Sequence, residues 1–309
     1  MLNSAPDFEQ SLQHRHPADW VAAARTLIQG HGTLTPLGPD HVATFINSGP
    51  TLLVSFETHR SMQTLSRRGH PLGWDMMQRV EWSHLGLISD GDTWFRDPAI
   101  YTYFDTLVDD GFFDRFETVL FYGAGPCGYA AAAFSVAAPG ARVLAIQPQA
   151  TLDPQITGWD TRFTAMRRTS FSDRYGYAPD MLDAAAEAFV LFDPVHTADA
   201  MHAALFTKPN VTKLRMRRMG ADLQADLNAM HLLPKLIAHA GRGTLNDGSF
   251  AQLMRARRDH MPYLRRLLVQ LDDDQRPILQ RLLCQSVVRR HNAPRFARRL
   301  DLLAPPVPA

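Results

Sequence analysis

Apolar residues fall in two rhythms along this chain. Short runs of β-branched and bulky apolar residues occur at 41–46, 51–56, 84–89, 118–122, 141–146, 188–192 and 211–216. Runs of this length, bounded by Gly, Pro, Asn or Asp, predict strands. The stretch 51–56 is continuously apolar, as a strand buried on both faces requires. Between the runs, apolar positions recur at helical spacing. Pro17 opens a helix to about Gln29, with Gly30 beyond its end, the usual asymmetry of helix termini. Further helices are expected from Pro98 to about Asp110, over 127–138, from Thr197 to Leu205 and from Ala221 to Ala240. Residues 1–16 and 31–40 carry no such pattern and are expected to be frayed chain and loop. Asn47-Ser-Gly-Pro50 is expected to turn the first strand into the second. Strands that alternate with helices from 51 to 240 demand a mostly parallel sheet covered by helices on both faces, an α/β fold.

Beyond Asp247 the rhythm is helical only, over 249–260, 263–271 and 277–288, with Asp274 as an expected N-cap of the last. The division that follows is an N-terminal helix and loop (1–40), an α/β domain (41–240) and an Arg-rich helical region (241–309) with a disordered end, APPVPA. Residues 149–186 lack a sheet pattern and carry Trp159, Phe171, Tyr175 and Tyr177. They are expected to form a lid, or an excursion packed by its own aromatics.

Charge changes this picture at one end. Residues 251–301 hold twelve Arg against five Asp, a net +7 that leaves −6 for the rest of a chain whose total is +1. A basic tail suits a nucleic-acid partner, but no helix-turn-helix and no set of stacking aromatics accompanies it. It is read as amphipathic helices partly paired with the acidic body; the expected partner of the protein as a whole is a small or anionic ligand or another protein. The oligomeric state is not set by the sequence. Two cysteines, Cys127 and Cys284, do not make a disulfide framework. No apolar run has the ~20 residues of a membrane span. The first ten residues, MLNSAPDFEQ, have neither the basic nor the apolar part of a signal peptide. These features predict a cytoplasmic protein without membrane contact, and no cofactor is expected.

The candidate chemistry centres on Thr118 to Ala138, TVLFYGAGPCGYAAAAFSVAA. It reads as a buried strand, a glycine turn and an Ala-rich helix. This layout resembles the G-x-S-x-G nucleophile elbow of the α/β-hydrolase superfamily, and more narrowly of serine esterases and acyltransferases. The resemblance covers about 41–240. It places Gly123 at the first glycine, Gly125 at the nucleophile and Cys127 at the last glycine. It implies an acid at the end of a later strand, where Asp193 stands with Asp199 as a second candidate, and then a histidine after the last strand. That position, after Met219-Gly220, is Ala221. Two of the three triad positions are therefore blank, and the serine mechanism lacks both its hydroxyl and its proton acceptor. The resemblance also implies an oxyanion donor after the strand at 51–56, at Glu57 or Thr58. Asp90, Trp94 and Arg96 are expected near the C-terminal edge of the sheet, where open α/β sheets bind ligands. Asp90 and Asp92 lack a calcium-loop spacing and are not taken as a metal site.

Two alternatives stay open. Cys127, at a helix N-terminus that favours the thiolate, could act as a displaced nucleophile with His196 or His202 as base. Gly123-x-Gly125-x-x-Gly128 also matches the dinucleotide fingerprint, although the strand at 141–146 does not end in the acidic residue that binds ribose.

Overall fold

A computed structural model describes residues 8–303. The expected disordered end at 304–309 and the first seven residues lie outside that range. The elements in chain order are α1 (Pro17–Leu27), β1 (Gly32–Leu37), β2 (His41–Ile46), β3 (Thr51–Thr58), α2 (His59–Leu65), α3 (Leu72–Val80), β4 (Ser83–Ser89), α4 (Pro98–Asp109), β5 (Thr118–Ala124), α5 (Pro126–Phe134), β6 (Arg142–Ile146), α6 (Pro154–Thr157), β7 (Glu187–Phe192), α7 (Thr197–Leu205), β8 (Val211–Arg215), α8 (Leu223–Ala229), α9 (Leu233–Gly241), α10 (Asp247–Leu253), α11 (Met261–Asp273), α12 (Pro277–Arg290) and α13 (Pro294–Leu302). The eight strands form one sheet in the order β1-β2-β4-β3-β5-β6-β7-β8. β2 runs antiparallel to both its neighbours, and β3 to β8 are all parallel.

Alternation along each strand sorts side chains to two layers. Leu52, Val54 and Phe56 of β3 face α4 and α5, where Phe56, Phe104 and Phe134 stack with centroids 4.6–6.1 Å apart. Leu53 of β3, with Leu120 and Tyr122 of β5, faces a second layer built from α3, α8, α9 and α10. Each large apolar side chain buried in these layers contributes roughly 1.5–3 kcal/mol. Among the described residues no helix is long and apolar enough to cross a membrane.

Several expectations need correction. Residues 8–16 are not frayed: Phe8 stacks on Trp74 at 4.9 Å, and Leu12 is buried beside Trp20. The expected loop at 31–40 contains β1, an edge strand, the place in a sheet where a proline such as Pro36 is tolerated. Asn47 to Pro50 does not close a hairpin, because β4 lies between β2 and β3. The expected helix 221–240 is two, α8 and α9, broken at His231, whose φ is +55°. Asp274 closes α11 instead of capping α12, whose N-cap is Arg276.

The helices beyond 241 divide between two tasks. Phe250 and Met254 complete the second layer against the sheet. α11, α12 and α13 enclose a small core of their own around Leu264, Leu268, Cys284, Val287 and Phe296. This bundle is fastened to α8 through Asp226, which accepts from His260 Nε2 at 2.9 Å and from Arg266 Nη2 at 2.5 Å.

Candidate functional site

The turn between β5 and α5 stands at the C-terminal edge of the sheet, with β3 on one side and β6 on the other. Gly125 carries φ +58° and ψ −125°, a conformation that favours glycine. Its N–H donates to the Ile146 carbonyl at 2.8 Å. A Cβ built on Gly125 meets nothing within 4 Å. The flanking glycines have a different task. A Cβ at Gly123 would lie 2.0 Å from the Cys127 carbonyl oxygen, and one at Gly128 would lie 3.0 Å from that of Ile146. Gly123 and Gly128 thus let α5 lie directly on β5 and β6. Every residue of the helix from Cys127 to Phe134 is buried.

Cys127 is 5% exposed. Burial pushes its thiol well above the ordinary range, and the nearby Glu57 and Asp92 charges push the same way. This overrides the favourable helix terminus, so the expected thiolate is disfavoured. Among the described residues no imidazole hydrogen-bonds the thiol. His202 is fully buried and both its nitrogens are engaged: Nδ1 accepts from the Ala150 N–H at 3.2 Å, and Nε2 lies 2.9 Å from Asp160 Oδ2. Nε2 is therefore the protonated nitrogen, and the ring has no lone pair left for a substrate. Burial holds its pKa below the ordinary value. His196 sits at the N-cap position of α7 without a side-chain cap bond. Asp199 pairs with Arg162 Nη1 at 2.6 Å and accepts from Gln147 Nε2 at 2.8 Å.

Asp193, the residue after β7, is fully buried. Its two oxygens accept backbone N–H groups, from Val195 at 3.0 Å and from Gly220 at 3.2 Å. The acid position therefore reaches the loop after β8 in which the resemblance places a histidine. That loop offers Gly220 and then exposed Ala221. Gly220 has φ +98°, and a Cβ there would lie 2.8 Å from Arg266 Nη1. Arg266 of α11 thus covers the loop while it donates to the Arg218 carbonyl at 3.2 Å.

A serine–imidazole contact does exist, away from the turn. Ser55 Oγ donates to Glu57 Oε1 at 2.8 Å and lies 2.8 Å from His84 Nε2. With the serine proton given to the carboxylate, His84 Nε2–H must be the donor to Ser55. Glu57 also accepts the Leu72 N–H at the start of α3, at 3.1 Å to each oxygen. The order is histidine, serine, carboxylate, so the base does not stand where it can take the serine proton. Burial lowers His84 to about 3 and raises Glu57 to about 7. A base near 3 accepts little at neutral pH. This chain is an internal strut between β3, β4 and α3. Sequence reasoning singled out Glu57 only for its backbone and missed the strut. Alternation places Ser55 and Glu57 on one face of β3, but nothing local pairs them with His84.

The remaining edge residues are engaged by the fold itself. Thr58 caps α2: its Oγ1 accepts from the Ser61 N–H at 3.0 Å, and its own N–H donates to Ser61 Oγ at 3.1 Å. That N–H is therefore not free to bind an oxyanion. Asp90 and Asp92 are exposed on the turn after β4. Trp94 is buried and donates from Nε1 to Gln149 Oε1 at 3.1 Å. His59, next to Thr58, turns its ring edge-on toward Trp20, 6.3 Å away.

Arg96, expected beside a ligand, is a clamp on the 147–186 segment. Its side chain is 1% exposed. Nε donates to the Ser170 carbonyl at 3.1 Å, Nη1 to the Arg174 carbonyl at 2.6 Å and to Tyr129 Oη at 3.3 Å, and Nη2 pairs with Asp173. The guanidinium lies over Tyr101 and Phe171. Replacing Arg96 by Leu leaves these acceptors without a donor, at ~1–3 kcal/mol for each one that stays buried. Trypsin should then cut at Arg167, Arg168 and Arg174 about tenfold faster than in the wild type, as local opening becomes cheaper. Unchanged cleavage in a folded variant would show that the segment is held elsewhere.

No protein-family model matches the sequence, and no curated protein matches it. Solved structures similar to the chain include a putative thioesterase from a Silicibacter species, with TM-score 0.47 and 15% identity over 75% of this chain and 97% of that one. Another is an esterase of Pyrococcus furiosus, at 0.45 and 10% over 77% and 97%. A thermostable esterase from Pseudomonas putida scores 0.43 at 14% over 74% and 88%. At such scores the likeness carries no argument about chemistry. With β3 to β8 parallel, β2 reversed, and a strand–glycine turn–helix at the middle of its sheet, the chain has an α/β-hydrolase-like fold.

Proposed function

We propose that this protein uses an α/β-hydrolase-like scaffold to bind a ligand or partner and does not hydrolyse esters by a serine mechanism. The observation that carries the reading is Gly125. Its backbone has the positive φ of a sharp strand-to-helix turn, and a side chain there would enter open space. The position where a nucleophile would stand is built and is empty of any reacting atom. The acid position supports the same reading, because Asp193 spends its two oxygens on the backbone N–H groups of Val195 and of Gly220, the latter next to Ala221. A nucleophile without a base, or a base without a nucleophile, forfeits most of the triad's rate advantage. Here both are missing. The ligand we expect is a small or anionic molecule, with a protein partner as the other class.

Cys127-dependent acyl transfer is disfavoured by the burial that raises its thiol. The two readings part in one assay. p-Nitrophenyl acetate hydrolysis by the wild type should match the buffer blank across pH 6–9, and Cys127→Ala should change nothing. Turnover above the blank that disappears in Cys127→Ala would establish cysteine chemistry. Turnover that survives it would overturn the non-hydrolytic reading altogether.

A further inference from the structure

A concentration of uncompensated positive charge lies away from the β5–α5 turn. A cleft of about 590 Å³ opens between β8, the last strand of the sheet, and the segment formed by α10 and the 3₁₀ turn Met254–Asp259. Lys213 and Arg215 line it from the strand, and Arg255, Arg257 and Arg258 from the turn. Asp247 is the one carboxylate in the lining, so the cleft holds a net four positive charges.

Elsewhere the arginines that contact carboxylates are neutralised locally, as Arg266 is by Asp226, Arg290 by Asp259 and Arg299 by Asp272. Among the described residues, none of the five cations of the cleft makes an ion pair. Lys213 Nζ reaches only the Ala204 carbonyl, at 3.4 Å, and the Arg257 guanidinium lies over the Tyr263 ring at 5.3 Å. Arg215, Arg255 and Arg258 are exposed. The floor is apolar, with Phe250 and Met254 buried beneath the rim.

We infer that this cleft is a binding site for a small organic di- or triphosphate. Its volume falls within the ~300–1,000 Å³ of small-molecule sites. Guanidinium forks match phosphate oxygens in pairs. A single phosphate group brings at most about two negative charges and leaves the cleft positive, whereas a di- or triphosphate matches it. The apolar floor suits the organic part of the ligand. Burial, and then the Arg215 charge, hold the Lys213 ammonium below its ordinary pKa. A bound polyanion would reverse the second effect. The inference does not rest on how the β5–α5 turn is read, because the two sites share no residue.

Titration calorimetry with inorganic tripolyphosphate, ATP and orthophosphate tests it on the full chain at low and raised salt. Saturable one-to-one binding is expected for ATP and tripolyphosphate, with orthophosphate about tenfold or more weaker. Binding should weaken as salt rises. Arg255→Glu with Arg258→Glu alters two exposed side chains and should weaken ATP binding about tenfold or more without changing the circular dichroism spectrum. Arg298→Glu, at an exposed position of α13, should leave the affinity unchanged. No saturable heat with tripolyphosphate at low salt would overturn the inference. So would an unchanged affinity in the double variant, or equal weakening by Arg298→Glu, which would report only the overall field. A single-stranded oligonucleotide that binds and resists displacement by tripolyphosphate would overturn it in favour of a nucleic-acid surface.

Discussion

Gly123→Ala should remove most of the stability of this protein, while Gly125→Ala, two residues away, should leave it folded. The added methyl at 123 would stand 2.0 Å from the Cys127 carbonyl oxygen, 2.3 Å from its carbon and 2.8 Å from the Gly128 nitrogen. All three are backbone atoms, so no side-chain rotation relieves the clash. The start of α5 would have to withdraw from β5, and α5 is buried along its length. Disruption of this kind belongs with the rare substitutions that cost more than ~4 kcal/mol, against a total stability on the order of 5–15 kcal/mol. At 125 the methyl meets nothing. Only the positive φ opposes it, at ~1–3 kcal/mol. Thermal unfolding should show Gly123→Ala insoluble or lowered by about 10 °C or more, and Gly125→Ala lowered by less than half as much. Equal losses would mean that the turn, and not the helix–strand contact, sets the cost.

The second large effect is a pH dependence that one substitution should expose. Burial raises Glu57 from an ordinary 4.5 to about 7. The folded state therefore holds this proton more tightly than the unfolded chain does. Stability from this group is full below pH 4.5 and is lost as pH rises through 7. Burial lowers His84 from 6.5 to about 3, so the folded state rejects a proton that the unfolded chain accepts. Stability from His84 is full above pH 6.5 and is lost as pH falls toward 3. Between 4.5 and 6.5 the two slopes oppose each other, and the wild type should be nearly flat there.

Glu57→Gln keeps an oxygen for the Ser55 hydroxyl and the Leu72 N–H and removes the titration. At ~1.4 kcal/mol for each tenfold change in proton affinity, its stability relative to the wild type should rise by about 3 kcal/mol from pH 4.5 to pH 8. The variant's own stability should climb with pH from 4.5 to 6.5, where the wild type does not. Urea unfolding at five or six pH values measures both. A difference independent of pH would show that Glu57 titrates normally.

The sequence alone carries the α/β class, because the rhythm of apolar residues is a local signal that each strand and helix holds within its own few residues. It determined the glycine turn and the blank at Gly125 in the same way. It missed β1, whose side chains are mostly half-buried or exposed and which contains Pro36, so that no apolar run announces it. What each candidate side chain does depends on contacts between segments far apart in the chain. The insertion of β4 between β2 and β3 brings His84 against Ser55, 29 residues earlier in the chain. Packing of the 147–186 segment turned Arg96 from an edge residue into a clamp, and gave both nitrogens of His202 their partners. It also placed Cys127 where burial outweighs the helix terminus. Periodicity is short-range, but desolvation and hydrogen-bond partnership depend on which distant segments fold together, and these set the chemistry of a side chain.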